Sequence, residues 1–402
     1  AYTVTVTLNG CTATATTNVV VNPLPVPAAT NTGPYCAGTT ISLSSSGGGT
    51  YSWSGPAGFT STSQNPTIGS ATTAMSGVYT VTVTLNGCTA TATTSVTVNP
   101  TPTVTATNTG PYCPSTTIQL NATGGGTYSW SGPAGFTSTS QNPTIGSSTT
   151  AMSGAYTVTV TLNGCTATAT TNVVVNPLPV PTATNTGPYC AGTTISLSSS
   201  GGGTYSWSGP GGFTSTSQNP TIGSATTAMS GAYTVTVTLN GCTATATTNV
   251  VVNPLPVPTA TNTGPYCAGT TISLSSSGGG TYSWSGPAGF TSTSQNPTIG
   301  SSTTAMSGAY TVTVTLSGCT ATATTNVVVN PLPVPTANNT GPYCPGLPVQ
   351  LNATGGGTYS WSGPNSFTST NQNPALGNAT SGLVGVYTVT VTLNSCTAVA
   401  TT

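Results

Sequence analysis

The sequence predicts an all-β fold, built as a tandem array of small β-sandwiches arranged end to end. A sixteen-residue motif beginning at Tyr79 alternates apolar and polar residues with the period of two that is typical of β-strands. The motif returns with a 77-residue period and without insertion or deletion, which is the signature of a repeat architecture. No stretch of the chain has helical periodicity. The copies begin at Tyr2, Tyr79, Tyr156, Tyr233, Tyr310 and Tyr387.

The motif itself predicts a β-hairpin. Asn86-Gly87 supplies the pair of left-handed residues that a two-residue type I′ turn requires. Around that turn the apolar residues of both strands fall on one face and the threonines on the other. The predicted cross-strand partners are Leu85 with Cys88, Val83 with Ala90, Val81 with Ala92, Thr84 with Thr89, Thr82 with Thr91 and Thr80 with Thr93.

An Asn-Pro pair closes each complete copy and sets the predicted domain boundaries. The chain opens in mid-strand and ends before a last Asn-Pro, so we expect it to be a window of a longer protein. The joints are short and proline-rich, which favours a semi-rigid line of domains. The predicted domains are a closing hairpin at 1–23, the first to fourth repeats at 24–100, 101–177, 178–254 and 255–331, and a fifth, truncated repeat at 332–402.

Within the first repeat, turn signals every 8–12 residues separate about seven short strands, the pattern of a β-sandwich. Glycine and proline pairs mark the turns between them. The predicted strands are Pro27 to Thr30, Thr39 to Ser45, Thr50 to Ser54, two short strands between Phe59 and Met75, and the final hairpin.

Composition excludes several classes of function. The chain contains no Asp, Glu, Lys, Arg or His. General acid–base catalysis, carboxylate metal sites and phosphate binding all need such side chains. We therefore expect no enzyme activity, no cofactor, no metal and no nucleic-acid partner. No apolar run approaches the ~18 residues of a membrane-spanning helix.

Eleven cysteines occur in a pattern that alternates strictly between a short and a long spacing, with two in each repeat. No C-x-x-C pair is present, so structural disulfides are favoured over metal or redox motifs. Disulfides indicate an oxidising, extracellular setting. The cysteines that we expect to form them are Cys36, Cys88, Cys113, Cys165, Cys190, Cys242, Cys267, Cys319, Cys344 and Cys396.

The order C-x-G, Tyr-x-Trp, G-x-Y-T-V-T-V-T and N-G-C-T-A resembles the immunoglobulin-like and PKD-like repeats of large extracellular surface proteins of Bacteroidota, which include adhesins and filaments. The resemblance implies that Cys36 pairs with Cys88 and that Trp53 packs near them. It also implies a corner hydrogen bond from Tyr79. The corresponding residues are Trp130, Trp207, Trp284 and Trp361 for the tryptophan, and Tyr156, Tyr233, Tyr310 and Tyr387 for the tyrosine.

Counting cysteines does not decide their pairing. Pairing within each repeat leaves one of the eleven cysteines unpaired, and pairing across a joint, Cys88 with Cys113, leaves one unpaired as well. Cys88 follows Tyr79 by nine residues, whereas the second cysteine of a true immunoglobulin domain follows the corner tyrosine by two. Cys36 and Cys88 could therefore lie at opposite ends of a sandwich. We expect pairing within the repeat, since pairing across the joint would require the last strand to run the domain's whole length and the next segment to return to it.

Three features are candidates for function. Tyr51 and Trp53 share one strand face, either in the core or as a sugar-stacking platform for surface glycans. The threonine rows resemble the ice-binding faces of some antifreeze proteins, although sheet twist opposes lattice matching. The charge-free surface leaves lateral association of copies unopposed, independent of salt and pH. The sequence thus predicts a structural filament or fibrous surface appendage, partnered by itself; the alternative is a non-associating adhesin stalk with carbohydrate-binding or ice-binding repeats.

Overall fold

A computed structural model describes all 402 residues as β-strands, short 3₁₀ turns and loops. The fold is all-β, as predicted, and consists of tandem immunoglobulin-like repeats with the 77-residue period. None of its helical turns has the length and apolar character that a membrane-crossing helix needs. The 3₁₀ turns are Pro56–Gly58, Thr73–Met75, Pro133–Gly135, Thr150–Met152, Pro210–Gly212, Thr227–Met229, Pro287–Gly289, Thr304–Met306, Pro364–Ser366 and Ser381–Leu383.

The chain begins with an isolated hairpin of β1 (Tyr2–Leu8) and β2 (Cys11–Thr17). Its apolar face is exposed at Tyr2, Val4 and Val6, because no other strand of the chain covers it. The first full repeat follows. Its strands are β3 (Ala29–Asn31), β4 (Tyr35–Cys36), β5 (Ile41–Ser45), β6 (Thr50–Gly55), β7 (Phe59–Ser61), β8 (Thr67–Ile68), β9 (Gly77–Leu85), β10 (Cys88–Val96) and β11 (Val98–Asn99).

These strands form a two-layer sandwich. One sheet has the order β3-β5-β8 and the facing sheet has the order β10-β9-β6-β7. β4 lies between β3 and β5 in the sequence, but it leaves their sheet and pairs in parallel with β11. Because β11 continues the line of β10, this pairing connects the two layers. Two facing sheets with this strand order make an immunoglobulin-like sandwich.

The third and fourth repeats reuse all nine elements, whereas the second and fifth lack the two-residue strands that correspond to β4 and β11. In the second repeat the strands are Thr105–Asn108, Ile118–Thr123, Thr127–Ser131, Thr137–Ser138, Thr144–Ile145, Gly154–Leu162 and Cys165–Val173. In the third they are Ala183–Asn185, Tyr189–Cys190, Ile195–Ser199, Thr204–Gly209, Phe213–Ser215, Thr221–Ile222, Gly231–Leu239, Cys242–Val250 and Val252–Asn253. In the fourth they are Thr259–Asn262, Tyr266–Cys267, Ile272–Ser277, Thr281–Ser285, Thr291–Ser292, Thr298–Ile299, Gly308–Leu316, Cys319–Val327 and Val329–Asn330. In the fifth they are Thr336–Asn339, Pro348–Thr354, Thr358–Gly363, Phe367–Ser369, Ala375–Asn378, Thr388–Leu393 and Cys396–Thr401.

The predicted hairpin register is confirmed. Leu85 lies opposite Cys88, Val83 opposite Ala90 and Thr82 opposite Thr91 along β9 and β10. The turn residues Asn86 and Gly87 have φ values of 50° and 82°, the two positive values that a type I′ turn requires. The two-residue strand β4 was not predicted, and its pairing with β11 decides where the cysteines lie.

A cluster of large apolar side chains fills the core of each sandwich. Trp53 on β6 is 1% exposed, and Tyr79, Val81 and Val83 on β9 are fully buried. The Tyr79 ring lies so close to the backbone of Gly55 that it leaves no room for a Cβ atom there, so only glycine fits. Burial of these residues is the main source of stability in a domain of this size.

The chain divides into two compact units, each of which we describe by itself. The first comprises Ala1–Val180 together with Thr238–Ala244, and the second comprises Pro181–Val237 together with Thr245–Thr402. The short segment Thr238–Ala244 is the last hairpin turn of the third repeat. It belongs to the first unit because it is bonded to the second repeat through Cys242 and Cys113.

The pH dependence of stability follows from these buried phenols. Burial raises the pKa of Tyr79, Tyr156, Tyr233, Tyr310 and Tyr387 above the ordinary 10.0. The folded state therefore holds these protons more tightly than the unfolded state, so their stabilising effect is complete below about pH 10 and is lost as the pH rises further. One phenol opposes the trend, because a hydrogen bond from Thr340 lowers the pKa of Tyr343.

We expect the thermal unfolding midpoint to stay constant from pH 4 to pH 7, where no side chain of this composition titrates, and to fall above about pH 10. Calorimetric scans across this range measure it. A midpoint that shifts between pH 4 and pH 7 would contradict the expectation.

Candidate functional site at the joint between repeats

The two cysteines of a repeat lie at opposite ends of its sandwich. Cys36 on β4 is paired in register with Asn99, the last residue of β11. Cys88 is the first residue of β10 and precedes Asn99 by eleven residues along an extended line of strand, a separation of roughly 35 Å. Disulfides require Cα atoms within about 7 Å. The expected pairing of Cys36 with Cys88 is therefore wrong.

Each disulfide instead joins one repeat to the next. Cys36 of the first repeat bonds to Cys165 of the second, with Cα atoms 5.5 Å apart and a sequence separation of 129 residues. The alternative pairing across the joint, Cys88 with Cys113, is also not formed. The disulfides are Cys36–Cys165, Cys113–Cys242, Cys190–Cys319 and Cys267–Cys396.

A hydrogen bond accompanies the disulfide at each joint. Asn99 donates from Nδ2 to the backbone oxygen of Asn163, the first residue of the next repeat's hairpin turn, over 2.9 Å. The carbonyl of Asn99 accepts the amide of Ala37, and the Sγ of Cys165 lies 3.9 Å from it. The closing end of one repeat thus holds the hairpin turn of the next.

The same bond recurs at every joint in the chain. Its acceptor is a backbone carbonyl, so a change of turn residue preserves it, as the donation of Asn253 to Ser317 shows. This explains why the turn sequence can vary. The pairs are Asn22–Asn86, Asn99–Asn163, Asn176–Asn240, Asn253–Ser317 and Asn330–Asn394, with distances between 2.8 and 3.1 Å.

The joint explains the composition of the first compact unit. Cys242 follows the hairpin turn of the third repeat and is bonded to Cys113, and Asn176 holds the same turn at Asn240. The turn segment Thr238–Ala244 therefore packs with the repeat that precedes its own.

Three cysteines have no disulfide: Cys11, Cys88 and Cys344. The expectation of disulfides at Cys88 and Cys344 is therefore wrong for this chain. The reason is the spacing of the observed pairs, because a residue 129 positions before Cys88 or after Cys344 falls outside the 402 residues.

The aromatic candidates lie inward. Each tryptophan of the Tyr-x-Trp strands, Trp53 and its four counterparts, is about 1% exposed, so its indole offers no face to a sugar. Tyr51 is half-buried and packs against the same core. The hydroxyl of Tyr79 donates to the carbonyl of Met75 over 3.0 Å, the corner hydrogen bond that the resemblance implies, and the other four corner tyrosines make the equivalent bond.

The threonine rows lie on the outer face of the larger sheet. In one cross-strand row, Thr91 on β10 lies beside Thr82 on β9, which lies beside Ser52 on β6. Thr91 and Ser52 are exposed, and Thr82 between them is half-covered by its neighbours. The sheet thus presents a neutral surface of hydroxyl groups. Ice binding by these rows stays a prediction.

Asn99 and its counterparts mark the predicted domain boundaries, but their contact across the joint was not predicted from the sequence. A signal was present in the sequence. The joint after the first repeat changes from Leu-Pro-Val-Pro to Thr-Pro-Thr-Val, yet its Asn-Pro pair is retained. The retained asparagine is the residue that makes the hydrogen bond across the joint.

No protein-family model matches the sequence, and no curated protein matches it. Among solved structures, the N-terminal eight immunoglobulin domains of Down syndrome cell adhesion molecule share 15% identity over 98% of this chain and 72% of that chain, with a TM-score of 0.29. Immunoglobulin domains 1–5 of Sidekick-1 share 13% over 94% and 98%, with a TM-score of 0.26. The titin I-band fragment I67–I69 shares 12% over 57% and 97%, with a TM-score of 0.35. These TM-scores are low, so the immunoglobulin-like assignment rests on the strand order of each sandwich.

Removing one joint disulfide should weaken the array at that joint. We expect the double substitution Cys113→Ser, Cys242→Ser to reduce the free energy of unfolding of the joined repeats by about 2–4 kcal/mol, the usual effect of a long-loop disulfide. Calorimetry of the unreduced chain measures the effect. The matched control is Cys344→Ser, which removes an exposed, unbonded thiol and should change little. Equal effects of the two variants would contradict the role of the joint.

Proposed function

We propose that this chain is a structural component of an extracellular filament or fibrous surface appendage, in which copies associate laterally with one another. The observation that carries the proposal is an open, charge-free strand edge on every repeat. The disulfides support the extracellular setting, because they persist in oxidising environments.

The open edge is strand β10, the outermost strand of the larger sheet. In a two-residue hairpin the residues flanking the turn form a hydrogen-bonded pair, and pairs then alternate along the strands. The backbone groups of Thr89, Thr91 and Thr93 therefore point away from β9, and none of them makes a hydrogen bond elsewhere in the chain. Further along, Asn31 covers the edge by donating to Ser95.

The part of this edge from Thr89 to Thr93 lacks the usual protection against pairing with another strand. Natural proteins protect edge strands with charged side chains, prolines or bulges. The segment Thr89-Ala90-Thr91-Ala92-Thr93 has none of these, and its counterparts in the second, third and fourth repeats are identical. The repeats therefore offer several equivalent edges along one chain.

The edge sequence supports a second copy of this chain as the partner. Thr-Ala-Thr-Ala-Thr reads the same in both directions. An antiparallel pair of two such edges places threonine opposite threonine and alanine opposite alanine, the self-complementarity of a two-fold interface. A second copy of this chain fits the edge without any further change in either copy.

The test adds charge to the edge. We expect a variant that combines four substitutions to lose lateral association at low salt, because like charges then face each other across each paired edge. The substitutions are Thr91→Lys, Thr168→Lys, Thr245→Lys and Thr322→Lys. Light scattering and electron microscopy of unreduced protein measure association.

The matched control places the same charges on the central strand β6 and its counterparts, on the same outer face of the sheet. It combines Ser52→Lys, Ser129→Lys, Ser206→Lys and Ser283→Lys.

The two variants separate the alternatives. Edge pairing predicts that the Thr→Lys variant stays single while the Ser→Lys control assembles. Loss of assembly in both variants would assign association to the hydroxyl face instead of the edge. If the unmodified chain forms only single threads one domain wide, lateral assembly is wrong and a non-associating stalk remains.

A further inference from the structure

We infer that the disulfides join the repeats into two interleaved covalent tracks, which bear tension in parallel and keep the chain intact after any single cut between Cys36 and Cys396. The inference goes beyond the proposed function and does not depend on assembly, because it concerns one chain only. It follows from which cysteines are bonded and from their order along the sequence.

The first track runs through alternate joints. It passes from Cys36 through the disulfide to Cys165, along the short backbone segment from there to Cys190, and through the next disulfide to Cys319. The second track makes the same steps one repeat later. It runs from Cys113 to Cys242, along the equivalent backbone segment to Cys267, and on to Cys396.

These tracks limit how far the array can stretch. To advance two repeats, a track uses one backbone segment such as Cys165 to Cys190 and one disulfide whose Cα atoms lie 5.5 Å apart. At about 3.5 Å per extended residue, the greatest length of a track over two repeats is about 90 Å, or about 45 Å per repeat. A folded repeat is itself roughly 35 Å long, from the strand line between Cys88 and Asn99.

Other pairings would behave differently under tension. With a disulfide inside each repeat, only the segment between neighbouring bonds could extend, to about 90 Å for each unfolded repeat. A repeat without disulfides would extend over its whole sequence, to about 270 Å. Unfolding of the observed array adds only about 10 Å per repeat, so the covalent bonds carry the load before the sandwiches can lengthen the chain. The function that this supports is a tension-bearing shaft of limited extensibility.

The same overlap protects the chain from cleavage. Each disulfide loop begins before the preceding one ends, since Cys113 precedes Cys165 and Cys190 precedes Cys242. Cys267 precedes Cys319 in the same way. Every peptide bond from Cys36 to Cys396 is therefore spanned by at least one disulfide. A protease that cuts one bond leaves both fragments covalently joined.

One engineered cut tests the connectivity directly. The sequence contains no Lys or Arg, so trypsin has no site in the unmodified chain, which serves as the control. Thr103→Lys creates one site in an exposed, strand-free joint that only the Cys36–Cys165 disulfide spans. Free thiols are alkylated first, and the chain is unfolded in urea without reductant, so that trypsin reaches the site whatever the fold.

We expect the digested variant to run as one full-length band without reductant and as fragments 1–103 and 104–402 with it. Adding Cys36→Ser should separate the fragments without reductant, whereas adding Cys88→Ser should leave them joined. Separation of the Thr103→Lys fragments without reductant would overturn the inference. Release by Cys88→Ser but not by Cys36→Ser would overturn it too, by assigning the bond to Cys88 and Cys113.

Discussion

The structure depends on one constraint: the closing end of each sandwich holds the hairpin turn of the next. The amide of Asn99 and the disulfide from Cys36 meet that turn on its two sides, at Asn163 and Cys165. Because the two cysteines of a repeat lie at opposite ends of one strand line, neither can bond within its own sandwich. Each repeat must take its covalent partner from a neighbour, and the array follows from that geometry.

Because the chain has no charged side chains, the relative position of neighbouring repeats depends on the joint. No ion pair between side chains can fix one repeat against another in a chain without Asp, Glu, Lys, Arg or His. The sandwiches are stabilised by burial of residues such as Trp53 and Tyr79, which acts inside each domain. Between domains, the contacts that fix geometry are the disulfide and the asparagine hydrogen bond. Both are independent of salt, and neither titrates in the acid or neutral range.

Much of the fold could be predicted from sequence because its signals are local. The alternation of Val81 and Val83 with threonine, and the Asn86-Gly87 turn, specify a hairpin and its register without reference to the rest of the chain. The cysteine pairing could not be predicted in this way. It depends on β4, a strand of only two residues, whose parallel pairing with β11 places Cys36 at the closing end of the sandwich. Strands this short have no periodicity to detect, and a count of cysteines fits several pairings equally well.

The central claim is that disulfides join neighbouring repeats, and the bond at Cys396 tests it most directly. Cys396 lies in Asn-Ser-Cys-Thr-Ala-Val, which occurs once in the chain, and Cys344 of the same repeat lies in the equally unique Tyr-Cys-Pro-Gly-Leu. Peptic digestion of the unreduced protein, followed by mass spectrometry, identifies the peptide attached to Cys396. The account predicts Tyr-Cys-Ala-Gly-Thr, the sequence around Cys267 that also surrounds Cys36 and Cys190, with Cys344 alkylated as a free thiol. A Cys396 peptide attached to Tyr-Cys-Pro-Gly-Leu would show a bond within the repeat and would contradict the account.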